Sequence, residues 1–138
     1  MKFAIIVPAR KGSRTIKDKN LFKLKNKSLV EYTFNQMKNL NFKKFVLSND
    51  RRILKKASKY KINTFYKRPE ETSDSKSSTV KTLLHFAKWL KEYDKEISEL
   101  VILQPTSPLR RKKDIINAID IYKKNKFHSL FSISDSLE

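Results

Sequence analysis

The order of apolar segments is the feature that most limits how this 138-residue chain can fold. Short apolar runs of strand length alternate with longer segments in which apolar residues recur every three to four positions, as on one face of a helix. This alternation predicts the order β-α-β-α-β-α-β-α-β. Such strands pair in parallel, because each helix crosses the sheet and returns the chain to the same end. We therefore predict an α/β fold, with a mostly parallel sheet and helices on both faces.

The five predicted strands lie at residues 3–7, 42–48, 62–66, 100–103 and 127–133. The four predicted helices lie at residues 28–40, 51–60, 79–93 and 112–125. Ser28 and Glu31 have the spacing of a capping box at the start of the first helix. The chain has no repeat and no low-complexity linker, which favours one domain over residues 1–138. No apolar run approaches the about 20 residues of a membrane-spanning helix, and no export signal precedes Arg10, so we expect a cytoplasmic protein without a membrane partner.

Polar segments follow four of the predicted strands directly. They are residues 8–20, 48–50, 68–78 and 104–111. The carboxyl ends of parallel strands meet at one edge of a sheet, and ligands of open α/β folds bind in the crevice at that edge. We therefore expect the four segments to converge on one site.

The first polar segment is unusually long for a connection between a strand and a helix. It extends from Val7 to the predicted helix at Ser28, where two to six residues are usual. It holds the only glycine, Gly12, beside Ser13 and between Arg10 and Arg14. Glycine lets backbone N–H groups approach an anion, and the arginines add positive charge. These residue types are equally compatible with a phosphate-binding loop and with a solvated basic loop.

The net charge of +18 predicts an anionic partner, namely nucleic acid, a membrane surface or a phosphorylated small molecule. Residues 1–69 contribute +17 of this charge, so the excess lies in the half that holds the long loop. The absence of cysteine excludes zinc fingers and disulfide scaffolds. A single glycine excludes a Walker A loop and a GxGxxG dinucleotide fingerprint.

The other polar segments contain further candidates. Asp50 is more typical of a helix N-cap than of a functional carboxylate. Arg68, at a strand end, is predicted to be functional, although a paired structural arginine is the alternative. Ser78 and Thr79 lie at a predicted helix N-terminus, which can bind an anion. Gln104 is expected at the rim of the crevice, in a loop stiffened by prolines.

Other isolated side chains carry weaker signals. His85, His128 and Trp89 are more typical of packing or of the surface than of catalysis. Three aspartates at the predicted edge stand alone, and no carboxylate pair has clear metal-ligand spacing; they are Asp50, Asp74 and Asp135.

Three segments resemble the signatures of the acylneuraminate cytidylyltransferases, the synthetases that activate sialic acid and related nonulosonic acids. These are IIVPARKGSRTIKDKN (residues 5–20), RPEETSD (residues 68–74) and LQPTSPLR (residues 103–110), in the order of that family. The resemblance implies a Rossmann-like nucleotidyltransferase fold. It also implies transfer of CMP from CTP to the anomeric hydroxyl of a nonulosonic acid, with release of pyrophosphate.

The resemblance also implies roles for single residues. Arg10 and Lys19 are implied to hold the phosphates and to act in catalysis. Further implied CTP contacts are Gly12, Ser13, Arg14, Asn20, Arg68, Ser78 and Thr79. The implied contacts of the sugar acid are Gln104, Thr106 and Ser107. Thr15 stands where the family usually has glycine, which predicts strain in the loop.

Members of that family are considerably longer, so the chain resembles their N-terminal portion. The remaining portion is implied to hold the Mg²⁺ ligands, much of the interface of a homodimer and part of the sugar pocket. We therefore expect no metal site in this chain, some affinity for CTP, and little or no synthetase activity from these residues alone.

Three alternatives remain open. Another sugar nucleotidyltransferase, of the 3-deoxy-octulosonate type, is disfavoured because it tends to carry an acidic residue in the loop that here reads QPTSPLR. A basic nucleic-acid-binding domain would explain the charge but not the polar segments, so we expect no nucleic-acid partner. A non-catalytic remnant is the third.

Overall fold

The computed structural model describes residues 1–13, 15–74 and 79–134. Its elements in chain order are β1 (Phe3–Pro8), β2 (Lys23–Leu24), β3 (Lys27–Ser28), α1 (Leu29–Gln36), β4 (Lys43–Leu47), α2 (Arg51–Lys59), α3 (Thr79–Tyr93), β5 (Glu99–Ile102) and α4 (Lys112–Asn125). β1 is the central strand of a parallel sheet with the order β4-β1-β5. Its register runs from Ala4 opposite Lys43 to Pro8 opposite Leu47 on one side. The predicted parallel α/β fold is confirmed.

Alternation along β1 sends its side chains into two separate cores, because successive residues of a strand point to opposite faces. Phe3, Ile5 and Val7 pack on one face against apolar residues of α1, α2 and α4. Ala4 and Ile6 pack on the other face against α3. All six residues of β1 are buried. Helices therefore cover both faces, as the apolar pattern predicts.

The helices follow the predicted segments closely. α3 and α4 have the predicted bounds. α1 begins after the predicted capping box, in which the Glu31 carboxylate accepts the Ser28 backbone N–H at 3.1 Å. It ends at Gln36, earlier than predicted, because the chain then turns and Asn39 takes a left-handed φ of 65°. No helix of the described residues is both long and apolar enough to cross a bilayer.

Two predicted strands are wrong. Residues 62–66 make one isolated parallel bridge, between Asn63 and Phe45, instead of a strand. The Asn63 side chain accepts the Phe65 backbone N–H at 2.8 Å, and such local bonds compete with a strand ladder. Residues 127–133 form no strand, and Phe131 is 81% exposed. An apolar run becomes a strand only where a partner strand and a packing surface are available.

A short antiparallel pair was not predicted. β2 and β3 pair within the long connection between β1 and α1, with Lys23 opposite Ser28 and Leu24 opposite Lys27. Lys25 turns the chain between them at a φ of 58°. Part of the long loop is thereby folded against the start of α1.

Candidate active site at the carboxyl edge of the sheet

The loop after β1 is tied to its surroundings by hydrogen bonds, although several of its residues are exposed. The Asn20 side-chain amide donates to the Arg10 carbonyl at 3.2 Å. The Lys11 backbone N–H donates to the Asn49 side chain at 2.7 Å. The Ser13 hydroxyl accepts the Lys19 backbone N–H at 3.0 Å and donates to the Ile16 carbonyl. These bonds fold the loop back on itself at the end of the central strand.

Gly12 lies inside this loop at a φ of +74°, a conformation that favours glycine. A Cβ at this position would meet open space, so the backbone conformation, and not crowding, calls for glycine. The strain predicted at Thr15 stays a prediction, because the φ of Thr15 involves Arg14, which lies outside the described residues. Asp18 takes the left-handed conformation, with a φ of 51°. It precedes the short 3-10 helix Lys19–Leu21 that carries Lys19 and Asn20.

Arg68 is only 9% exposed, and its guanidinium is fully engaged. It donates to the Leu47 carbonyl at 3.1 Å, to the Thr72 carbonyl at 2.7 Å and to the Thr82 hydroxyl at 3.0 Å. None of the ion pairs found among the described residues involves Arg68. Burial lowers the pKa of Arg68, Tyr66 opposes this, and the nearby Arg10 cation lowers it further. Arg68 therefore anchors the backbone at this edge and adds positive charge there.

Backbone hydrogen bonds join the four polar segments. The Leu47 carbonyl, at the end of β4, accepts both the Ala9 backbone N–H at 3.0 Å and the Arg68 guanidinium. The Leu103 backbone N–H donates to the Ile6 carbonyl at 2.9 Å, which places the fourth segment beside the first. With the Lys11–Asn49 bond, these contacts bring all four segments to the carboxyl edge. The predicted convergence is confirmed.

Asp50 caps α2, as predicted. Its carboxylate accepts the Arg52 backbone N–H at 2.9 Å and the Arg52 guanidinium at 2.8 Å. Burial raises the pKa of Asp50, but the hydrogen bonds and charge of Arg52 outweigh it, so the pKa is lowered overall. Asp50 is therefore a structural carboxylate that Arg52 already occupies.

The side chains implied to contact the sugar acid are accessible. Gln104, Thr106 and Ser107 are all exposed, in the loop between β5 and α4. The Gln104 carbonyl accepts the Arg110 guanidinium at 3.1 Å, and the Gln36 side chain reaches the same loop from α1. Gln36 and Arg110 are the site residues that were not predicted. Their signals in the sequence are a polar residue on the inner side of a predicted helix and an arginine in a lysine-rich chain.

Other predicted residues lie away from this loop or outside the described part of the chain. Arg14, Ser78 and Asp135 fall outside the described residues, and Thr79 is the first residue of α3. The predicted packing roles of His85 and Trp89 are confirmed: the His85 ring contacts the Tyr66 hydroxyl at 2.8 Å, and Trp89 stacks on Tyr93 with ring centroids 4.6 Å apart. His128 is exposed, in the segment wrongly predicted as a strand.

Residues 1–13, 15–74 and 79–134 contain no group of three or more His, Cys, Asp or Glu side chains that could hold a metal ion. Mg²⁺ prefers several oxygen ligands, and Asp50 is already engaged by Arg52. The described part of the chain thus does not fit a Mg²⁺ site by itself.

Two cavities, of about 390 and 450 Å³, lie at the opposite end of the sheet around Phe42 and Lys43. No predicted site residue lines either of them. Their charge is partly neutralised, because Lys43 pairs with Asp94 and Lys2 pairs with Glu96. The candidate site is instead the open carboxyl edge, where the motif segments meet.

Known proteins are similar to this chain in sequence and in fold. The chain is 29% identical over 137 residues to the N-acylneuraminate cytidylyltransferase of Escherichia coli O18:K1:H7, which covers 98% of this chain and 32% of that protein. It is 27% identical over 125 residues to the CMP-N,N'-diacetyllegionaminic acid synthase of Legionella pneumophila, and the match covers 89% of this chain and 54% of that protein. The fold is similar to that of a solved CMP:2-keto-3-deoxy-manno-octonic acid synthetase complexed with CTP, at a TM-score of 0.64 and 18% identity. The similar part covers 91% of this chain and 49% of that chain.

The chain thus spans between a third and about half of the length of these relatives. Residues 4–137, almost the whole chain, match the model of one family. That family is described as cytidylyltransferase. Sequence, fold and family agree with the resemblance that the three motif segments carry, and the chain belongs to the cytidylyltransferase family.

Proposed function

We propose that this chain binds CTP at the carboxyl edge of its sheet, as the nucleotide-binding part of a nonulosonic acid cytidylyltransferase. The observation that carries the proposal is the convergence of the polar segments at that edge, with the basic Gly12 loop joined to the ends of the neighbouring strands. Arg10 suits a triphosphate, because arginine binds phosphate oxygens bidentately. Arg68, whose guanidinium is already hydrogen-bonded within the protein, adds positive charge to this edge. The names of the curated relatives support both the nucleotide and the sugar class.

The reaction proposed for the whole enzyme is an in-line displacement. The anomeric hydroxyl of the sugar acid attacks the α-phosphorus of CTP and loses its proton to solvent. A new oxygen–phosphorus bond forms, and pyrophosphate leaves as its bond to that phosphorus breaks. Catalysis of this kind consists mainly of positioning and of neutralising phosphate charge. Arg10 and Lys19 are assigned to the phosphates, and Asn20 to the ribose or base.

The other assignments are proposals of the same kind. Gly12, Ser13 and Thr79 are assigned to the nucleotide, and the resemblance alone assigns Arg14 and Ser78 to it as well. Gln104, Thr106 and Ser107 are assigned to the sugar acid, because they are exposed on the neighbouring loop. Mg²⁺ is proposed as the cofactor of the whole enzyme, with ligands outside the described residues.

Isothermal titration tests the proposal. We expect saturable binding of CTP, with UTP and GTP weaker. Lys19→Met and Arg10→Met should weaken CTP binding by roughly tenfold or more, since each removes a charged phosphate contact worth about 1.5–3 kcal/mol. Lys88→Met is the matched control, because Lys88 is exposed on α3. Equal loss of affinity in Lys88→Met and Lys19→Met would show that net charge alone attracts the nucleotide.

A pyrophosphate-release assay then addresses the sugar acid. It uses CTP, Mg²⁺ and a panel of N-acetylneuraminic, legionaminic, pseudaminic and 3-deoxy-manno-octulosonic acids. We expect any turnover to favour an acid of the first three. Preference for the octulosonic acid would place the enzyme with the other sugar class.

A further inference from the structure

The loop that carries Gln104 is held from the opposite side by one side chain of α1. Gln36, the last residue of that helix, is 8% exposed. Its side-chain amide donates to the Ser107 carbonyl at 3.1 Å and to the Pro108 carbonyl at 3.0 Å. Its side-chain oxygen accepts the Arg110 guanidinium at 2.9 Å. Gln36 thus uses both ends of its amide on one loop.

Arg110 completes the arrangement from within the loop. One of its terminal nitrogens donates to Gln36, and the other donates to the Gln104 carbonyl at 3.1 Å. No ion pair found in the described part of the chain includes Arg110. The guanidinium therefore acts as a bridge from α1 to the backbone of Gln104, and not as half of a salt bridge.

The chemistry of this bridge requires an amide at position 36. The glutamine side chain carries two N–H donors and a carbonyl acceptor on the same amide group, whereas a carboxylate can only accept. A glutamate at this position could still bind Arg110 but would face the Ser107 and Pro108 carbonyls with no donor. A methionine of similar length would lose all three bonds and leave the loop carbonyls without this partner.

We propose that Gln36 and Arg110 are positioning residues, which hold Gln104, Thr106 and Ser107 in place to contact the sugar acid. This inference rests on the proposed function. It assigns the pair to the sugar side alone, because the nucleotide loop is held by other groups. Asn20 and Asn49 tie that loop, and neither bonds to Gln36 or Arg110.

The test measures three properties of the 138-residue chain: CTP affinity, sugar-acid affinity in the presence of CTP, and hydrogen exchange of the amides of residues 104–110. For Gln36→Met we expect a roughly tenfold loss of sugar-acid affinity, the factor that corresponds to about 1.4 kcal/mol. CTP affinity should stay within about twofold, and the loop amides should exchange faster. Arg110→Met should behave alike, and the double variant should be no worse than either single one, since the two residues act as a unit.

Control variants separate positioning from general destabilisation. Asn35→Ala changes the exposed neighbour of Gln36, and Lys113→Met removes an exposed charge three positions after Arg110. Both should leave all three properties unchanged. Gln36→Glu keeps the acceptor for Arg110 and should lie between wild type and Gln36→Met in exchange and in sugar affinity.

The outcomes are distinguishable. Parallel loss of CTP and sugar affinity in Gln36→Met would overturn the inference, as would unchanged sugar affinity. A wild-type chain that binds CTP but no sugar acid would also overturn it, while leaving the nucleotide part of the proposed function intact. A wild type that binds no CTP refutes the proposed function, and the exchange data then still decide whether Gln36 holds the loop.

Discussion

Replacing Arg68 by methionine tests how a buried guanidinium supports the carboxyl edge. The change removes the hydrogen bonds to Leu47, Thr72 and Thr82 while keeping a side chain of similar length. Bonds from a charged donor are worth about 1.5–3 kcal/mol each when they are isolated. The total should be much smaller than three such values, for two reasons that the structure supplies.

The first reason is that both carbonyls keep a second donor. The Leu47 carbonyl still accepts the Ala9 backbone N–H at 3.0 Å, and the Thr72 carbonyl still accepts the Thr82 hydroxyl at 3.3 Å. The second reason is that methionine avoids the cost of burying a cation, which the lowered pKa of Arg68 reflects. We therefore expect a loss of about 2–3 kcal/mol in the free energy of unfolding.

Denaturant unfolding followed by circular dichroism measures this loss. For a chain of this size, about 2–3 kcal/mol corresponds to a fall of roughly 6–12 °C in melting temperature. Lys67→Met is the matched control, since Lys67 is exposed and carries the same charge. It should change stability by less than about 0.5 kcal/mol. An Arg68→Met variant as stable as Lys67→Met would refute the assignment of Arg68 as an anchor of this edge.

Three further predictions concern acid, base and the core. The Asp50 pKa is lowered overall, so its stabilisation is present above about pH 4 and is lost as the pH falls through the folded-state value. Asp50→Asn keeps a good N-cap. In this variant the free energy of unfolding, measured with urea, should therefore fall less steeply at acid pH than in wild type. An equally steep fall would contradict this. Burial raises the pKa of Tyr66 to about 12. The contribution of the neutral phenol to the free energy of unfolding is therefore complete below pH 10 and is lost between about pH 10 and 12. The pKa values of Tyr60 and Tyr122 are also raised, but Tyr66 should be the phenolate that appears near pH 12 in spectrophotometric titration. Tyr66→Phe should remove that step, and a Tyr66→Phe curve identical to wild type would oppose the assignment. Phe86 is fully buried, so Phe86→Ala should cost about 3–5 kcal/mol in the same unfolding assay, whereas Val80→Ala on the exposed face of α3 should cost under about 0.5 kcal/mol.

The sequence predicted most accurately those elements whose signal is local. α3 and α4 carry apolar residues at helical spacing over three to four turns, so their bounds match the prediction. β1, β4 and β5 are short apolar runs that fill the centre of the molecule. Their order in a parallel sheet follows from the helices between them.

The errors concern elements that depend on distant partners. Residues 127–133 hold four apolar residues of seven, but no described strand pairs with them. Residues 62–66 are diverted by the local bond of Asn63. β2 and β3 are two residues each, and their turn has lysine where a glycine or asparagine signal is usual.

Some features of the candidate site could likewise be predicted from the sequence, and others could not. The motif segments and their convergence could be predicted, because topology brings strand ends to one edge. The bonds within the site could not. Arg68 was predicted as functional, with a structural role as the alternative, and its hydrogen bonds now show that it anchors backbone carbonyls. Gln36 and Arg110 meet across 74 positions of sequence, and no local pattern encodes such a contact.

Hydrogen–deuterium exchange with and without saturating CTP is the most direct test of the central claim, that the carboxyl edge binds the nucleotide. We predict slower exchange in the Gly12 loop, at residues 9–13 and 19–21, and no change around Phe42–Lys44 at the opposite end of the sheet. Protection confined to residues 42–44, or no CTP-dependent protection anywhere, would contradict the account.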